Sequence, residues 1–216
     1  MEGESETERR KAEGGRSLWD RGLGKSPGIT IFFRLPPFPM PTNIVLIGFM
    51  GSGKSSIGRR VATHLGFQFV DTDAVLVERD GRAIAEIFAR EGEARFRDLE
   101  TSVLKSLGVR ERCVISTGGG VILREENRTL LRQLGHVVWL TASEDVIFDR
   151  VSRTNKRPLL QTADPRETVT QLLAARRPLY EAAAQFTVNT TALTHAAAAA
   201  AVIAEARRAF SWDTAE

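Results

Sequence analysis

The run Gly48-Phe49-Met50-Gly51-Ser52-Gly53-Lys54-Ser55 sets two glycines around four residues and follows them with lysine and serine. Each residue type has a reason to be there if the segment binds an anion. Glycines let the backbone curl until successive N–H groups point inward. A helix starting at Lys54 adds the positive end of its dipole. Lys54 then reaches the outer phosphates of a nucleotide, and Ser55 offers its hydroxyl to Mg²⁺. The bland alternative is a glycine-rich turn with Lys54 in solvent. An apolar strand pattern before the run and a helical pattern after it favour the phosphate site. A nucleoside triphosphate is therefore expected here, and the second substrate stays open.

A second set of candidates lies downstream. Asp71-Thr72-Asp73 reads as the end of a strand. Residues two apart on a strand point to the same side, so both carboxylates would face the phosphate loop. One would order Mg²⁺ and its water shell, and the other would take or orient the acceptor's proton. Strand-end aspartates are also common caps. Gly118-Gly119-Gly120 suggests either close backbone approach to a ligand or a flexible turn. Arg97 and Arg176 are of a type that binds planar carboxylates in bidentate fashion, although spacing alone favours surface charge for both. His64, His136 and His195 lack metal-ligand spacing. Cys113 and Trp139 read as packing residues, His64 as helix surface, and Tyr180 as core or pocket wall.

The elements that must position these groups alternate along the chain. Strands are expected at 43–47, 67–71, 112–116, 136–140 and 186–188. Helices are expected at 54–65, 83–90, 93–107, 125–134, 143–151, 165–180 and 196–210, the last with Thr194 as a candidate cap. Residues 154–165 are polar, carry Pro158 and Pro165, and read as a mobile loop. The alternation argues for an α/β fold with a parallel sheet covered on both faces.

Composition closes off other classes. The chain has 216 residues, 42% of them apolar and 26% charged, which excludes general disorder. Cys113 is the only cysteine, so no disulfide scaffold exists. A net charge of +3 gives no reason to expect nucleic-acid binding. No apolar run is long enough to span a membrane. Residues 1–39 mix acidic and basic side chains, end in a proline-rich run, and show no targeting pattern. They are expected to be a disordered extension, or to be absent from the native protein if Met40 is the true start. Residues 40–212 form the expected domain.

Together these residues resemble the shikimate kinase family. The resemblance covers about residues 42–210. It is carried by Gly48 to Ser55, Asp71-Thr72-Asp73, Gly81 to Phe88, Phe96-Arg97, Gly118 to Gly120, Arg157-Pro158-Leu159-Leu160 and Arg176-Arg177-Pro178-Leu179-Tyr180. It implies the fold of the P-loop nucleoside monophosphate kinases, a five-stranded parallel sheet flanked by helices with a mobile lid. It implies transfer of the γ-phosphoryl of ATP to the 3-hydroxyl of shikimate, with one Mg²⁺ per subunit, in a monomeric cytoplasmic enzyme of aromatic amino acid biosynthesis.

By the same resemblance, Gly51, Ser52, Gly53, Lys54, Ser55, Ser56, Arg150 and Arg157 bind ATP, with Arg150 near the adenine and Arg157 closing from the lid. Lys54, Asp73 and Arg157 are catalytic. Asp73, Arg97, Gly119 and Arg176 bind shikimate, the two arginines clamping its carboxylate. Ser55 and, through water, Asp71 serve the metal. One departure is the absence of arginine from Val188 to Ala192, a stretch where some relatives contact adenine. Base contact there is expected from backbone or Asn189. The rival readings are a gluconate kinase-like enzyme and a regulatory module that binds ATP or shikimate without turnover.

Overall fold

The computed structural model describes residues 42–152 and 162–212. Residues 1–39, Met40 and Arg157 lie outside the described residues. Five strands form the sheet: β1 (Ile44–Ile47), β2 (Gln68–Asp71), β3 (Cys113–Ser116), β4 (His136–Thr141) and β5 (Phe186–Asn189). Their order is β2-β3-β1-β4-β5, and every pairing is parallel. Among the described residues seven helices flank the sheet: α1 (Lys54–Leu65), α2 (Thr72–Asp80), α3 (Ile84–Ser106), α4 (Glu125–Leu134), α5 (Glu144–Ser152), α6 (Pro165–Ala183) and α7 (His195–Ala209). A 3₁₀ turn spans Val121–Leu123.

The central strands are apolar on both faces because both faces are covered. Along β1, Ile44 and Leu46 join a core with α1 and α7, while Val45 and Ile47 join one with α3, α4 and α6. β4 alternates in the same way, Val138 and Leu140 against Val137 and Trp139. β1 and β3 are neighbours, yet their chains continue to strands on opposite sides, β2 and β4. Loops leaving such a pair open a crevice beyond the strand ends, and ligands of open α/β sheets bind there.

Two differences from the sequence reading bear on function. β2 ends at Asp71, and Thr72–Asp80 is a helix that the reading left unassigned. Asp71 caps that helix: its Oδ1 accepts from the N–H groups of Asp73 at 3.1 Å and Ala74 at 3.5 Å. Strand alternation therefore does not align the two aspartates, since Asp73 lies in the first helical turn. The helices expected at 83–90 and 93–107 run together as α3, with a break at Gly92, where φ is 78° and ψ is 178°. Thr194 caps α7, accepting from the N–H of Ala197.

The amino-terminal end of the sheet is tied down by buried polar groups. Asn43 donates to the carbonyls of Arg110 at 2.7 Å and Leu134 at 2.9 Å, and accepts from the N–H of Cys113 at 2.9 Å. Nearby, Glu205 on α7 pairs with His136 at 2.9 Å and with Arg208 at 2.8 Å. Burial alone would raise the Glu205 pKa, but Arg208 and His136 more than offset it, so the carboxyl is held below its ordinary range. A carboxylate held lower in the folded state stabilises above its unfolded value and loses that contribution as pH falls through the folded one. Glu205→Gln should therefore be less thermostable than the parent at pH 7. The gap should close as pH is lowered from about 5 to 3, followed by thermal melts. A gap that widens over that range would contradict the pairing.

Candidate active site

The phosphate loop joins β1 to α1. Gly48, Gly51 and Gly53 hold φ values of 146°, 80° and 96°. The last matters most, because Gly53 occupies the N-cap of α1 in the left-handed region and no side chain caps the helix. The first N–H groups of α1 are thus left for an anion. Lys54 is 8% exposed, and its Nζ donates to the carbonyls of Gly48 at 2.8 Å and Phe49 at 3.0 Å. The ammonium is held over the loop it serves.

Beside the loop, Ser55 Oγ donates to Asp71 Oδ2 at 2.9 Å and lies 3.3 Å from Ser116 Oγ. Asp71 therefore uses one carboxylate oxygen to cap α2 and the other to meet Ser55. Arg150 on α5 donates to the carbonyl of Gly51 at 3.2 Å and to Thr190 Oγ1 at 3.4 Å. A cleft of about 480 Å³ brings these groups together; Gly51, Gly53, Lys54, Ser55, Ser56, Asp71, Asp73, Gly119 and Arg150 all line it. Ser52 faces elsewhere. It is fully buried, its N–H donates to the Phe49 carbonyl at 3.2 Å, and it lines a separate cavity of about 290 Å³ beside β4, α5 and α6. Asn189 turns its amide oxygen to the N–H of Thr191.

Arg97 and Arg176 are not surface charges, contrary to the reading from spacing. They are 7% and 4% exposed. Arg97 donates from Nη1 to Glu100 Oε2 at 2.7 Å and from Nη2 to Glu93 Oε1 at 2.8 Å. Its guanidinium lies against Gly120, where any side chain would collide with it. The three glycines are thus a close-approach segment. A Cβ on Gly118 would stand 2.7 Å from Glu100 Oε1 and 2.9 Å from Asp73 Oδ1, so both carboxylates flank that residue. The Arg176 guanidinium sits 5.6 Å from the centre of the Phe49 ring. Its Nε is buried without a hydrogen-bond partner among the described residues.

Glu100 was missed by the sequence reading. It is 2% exposed, and burial pushes its carboxyl above the usual carboxylate range, with Arg97 pulling the other way and Asp73 adding to the rise. Arg97 keeps its charge: burial acts against it, but Glu100 and Glu93 more than offset the cost. Buried ions persist only when paired. The signal in the sequence was the placement of Glu93 and Glu100 four residues before and three after Arg97, the spacing at which helix side chains meet. Tyr180, also left undecided, is 1% exposed and stacks on Trp139 with ring centres 5.7 Å apart. His195, set aside as a metal ligand, lines the phosphate cleft.

The arrangement unites an anion-binding loop, a buried lysine, two carboxylates and two buried arginines at one edge of a parallel sheet. Comparison with known proteins places the fold. The family model described as shikimate kinase matches residues 50–207. A shikimate kinase of Thermodesulfovibrio yellowstonii is 49% identical over 166 residues, covering 77% of this chain and 95% of that one. One from Geobacter metallireducens is 47% identical over 149 residues, covering 69% and 83%. Among solved structures, a shikimate kinase from Acinetobacter baumannii in complex with shikimate superposes with a TM-score of 0.73 at 38% identity, covering 80% of this chain and 94% of that one. A gluconokinase from Sinorhizobium meliloti, at 20% identity and a TM-score of 0.53, shares the fold, with 82% and 99% covered. The five-stranded parallel sheet and the phosphate loop thus sit in the setting expected of them, and the chain belongs to the shikimate kinase family, kinases that act on an alcohol group.

Proposed function

We propose that the protein transfers the γ-phosphoryl group of ATP to the 3-hydroxyl of shikimate, with the residues of the cleft in the following roles. The phosphate loop and the start of α1 cradle the β- and γ-phosphates, and Lys54 follows the charge as it moves toward the acceptor. Asp73 accepts or orients the acceptor hydroxyl's proton. Arg97 and Arg176 grip the acceptor carboxylate, with a backbone N–H of Gly119 on the ring side. Arg150 packs at the adenine, and Arg157, outside the described residues, closes over the phosphates.

The donor set fits Mg²⁺. Ser55 and Asp71 offer only hard oxygens, 2.9 Å apart at the mouth of α1. Among the described residues no group of three or more His, Cys, Asp or Glu could hold a metal unaided. The ion would therefore enter with the nucleotide's phosphates, Ser55 holding it directly and Asp71 through water. When bound it supplies charge neutralisation at the β- and γ-oxygens. Among the described residues no helix is long and apolar enough to cross a membrane. A cytoplasmic monomer is the simplest setting for such an enzyme.

The observation that carries the acceptor assignment is Arg176: a guanidinium 4% exposed, with Nε unmatched among the described residues. Burying an unmatched donor costs about 1–3 kcal/mol, which a bound carboxylate would recover. Arg176→Ala should raise the shikimate KM by roughly tenfold or more, the equivalent of about 1.4 kcal/mol or more, and move the ATP KM by less than about twofold. ADP release is the readout, with shikimate, gluconate or no acceptor present. Equal effects on both KM values, or release by the parent enzyme with gluconate alone, would overturn the assignment.

A further inference from the structure

Tyr180 is the only tyrosine in the chain. It lies on α6 one helical turn after Arg176, 1% exposed, with its ring nearly parallel to Trp139 at an interplanar angle of 12°. Packing alone would be served as well by phenylalanine. The hydroxyl, however, has a directed role: it donates to the carbonyl of Gly119 at 2.5 Å. The Arg176 guanidinium sits against the same hydroxyl. Burial raises the phenol's pKa and outweighs the opposing pull of Arg176, so the group remains a donor through the neutral range.

The bond fixes more than one atom. The carbonyl of Gly119 and the N–H of Gly120 belong to one trans peptide unit and point in opposite directions. Holding the carbonyl toward α6 therefore turns the Gly120 N–H away from it. On its other side Gly119 rests on the phosphate loop, where an added Cβ would stand 3.2 Å from the backbone nitrogen of Met50. Gly120 rests on the Arg97 guanidinium. A glycine segment has the widest conformational freedom of any backbone. Three in a row, without an external tie, would not keep their N–H groups aimed.

We propose that Tyr180 is a positioning residue for the acceptor: its hydroxyl locks the Gly119–Gly120 peptide beside Arg176, so that the glycine segment and the guanidinium meet the acceptor as one preset unit. The inference rests on the acceptor assignment given above. Preorganisation of this kind lowers the ordering cost of binding, so its loss falls on acceptor affinity.

Tyr180→Phe keeps the ring, the stack and nearly the whole volume. It should raise the shikimate KM about fivefold, the effect of losing one neutral hydrogen bond. The ATP KM and kcat should stay within about twofold. Trp139→Phe disturbs the same stack without touching the hydroxyl and should leave the shikimate KM unchanged. An unchanged shikimate KM in Tyr180→Phe would overturn the proposal. So would an equal rise in both variants, which would make the effect one of packing. A single tyrosine also allows a second reading that needs no variant. Protein grown with 3-fluorotyrosine carries one ¹⁹F resonance, which should shift on adding shikimate; a resonance unmoved by saturating shikimate would overturn the proposal. Arg176→Ala separates the two failures. If it raises the shikimate KM while Tyr180→Phe does not, only the Tyr180 role falls; if neither does, the acceptor assignment falls with it.

Discussion

Lys54→Ala should lower kcat by about 10²–10³-fold, the range seen when one preorganised donor to a developing charge is removed. The size of the effect follows from where the ammonium sits. Its side chain is 8% exposed, and Nζ rests on two carbonyls of the loop that would hold the phosphates. A positive charge in so enclosed a place is worth far more than one in water. The dissociative transition state of phosphoryl transfer spreads charge over the outer oxygens, within reach of that lysine. Alanine removes the charge and leaves the backbone cradle in place, because the cradle is made by Gly48, Gly51 and Gly53 and by the open N-terminus of α1. Nucleotide binding should therefore weaken less than turnover. Steady-state rates with ATP, Mg²⁺ and shikimate, alongside a melting curve, provide the check. More than a tenth of the parent's kcat in a normally folded variant would remove Lys54 from the chemistry.

The phosphate loop was legible in the sequence because its function is local. Backbone curvature, helix dipole, lysine and serine all come from eight consecutive residues. The sheet was legible for a related reason: the central strands β1, β3 and β4, buried on both faces, appear as near-continuous apolar runs, and each of the five strands lies within a residue or two of its expected place. Where the reading failed, one residue had two tasks. Asp71 signals a helix start as clearly as it signals a metal-facing carboxylate. Its two oxygens do both, one capping α2 and the other meeting Ser55. Favouring the second task over the cap placed Asp73 at the strand end and left α2 unassigned.

The acceptor side was less legible, because it is assembled from distant segments. Nothing in the local sequence of Arg176 says that α6 will bury it against Phe49. Arg97 could have been read more closely. Glutamates four before and three after it on one helix suit a solvated charge or a buried, paired one equally. Only packing against the glycine segment decides for burial. The resemblance to shikimate kinases supplied what spacing could not, by placing both arginines in one site. It did not supply Glu100 or the Tyr180 hydroxyl, whose partners are visible only once the chain is folded.

Asp73→Asn should lower kcat by about 10²–10⁴-fold, the contribution usual for a positioned acid or base, and leave the ATP KM within about threefold. The substitution is nearly isosteric, and the capping bond to Asp71 Oδ1 uses the backbone N–H of residue 73, which asparagine retains. Some stability should be lost, because a negative charge in the first turn of a helix stabilises it by about 0.3–1 kcal/mol. That is too little to unfold a domain of this size. What asparagine cannot do is take a proton from the acceptor hydroxyl, or pull that proton toward a full negative charge. Its amide would instead present a donor to an oxygen that must attack. The neighbourhood sharpens the distinction: buried Glu100 Oε1 stands beside Asp73 Oδ1, both meeting the point where a Gly118 Cβ would lie, at 2.7 and 2.9 Å. Slow hydrolysis of ATP without acceptor supplies the internal control, since water needs no seat on the acceptor side. If hydrolysis persists while transfer to shikimate collapses, the lost step is activation of the hydroxyl. If transfer persists near the parent rate, the hydroxyl is oriented by the glycine backbone alone, and Asp73 serves α2 rather than the reaction.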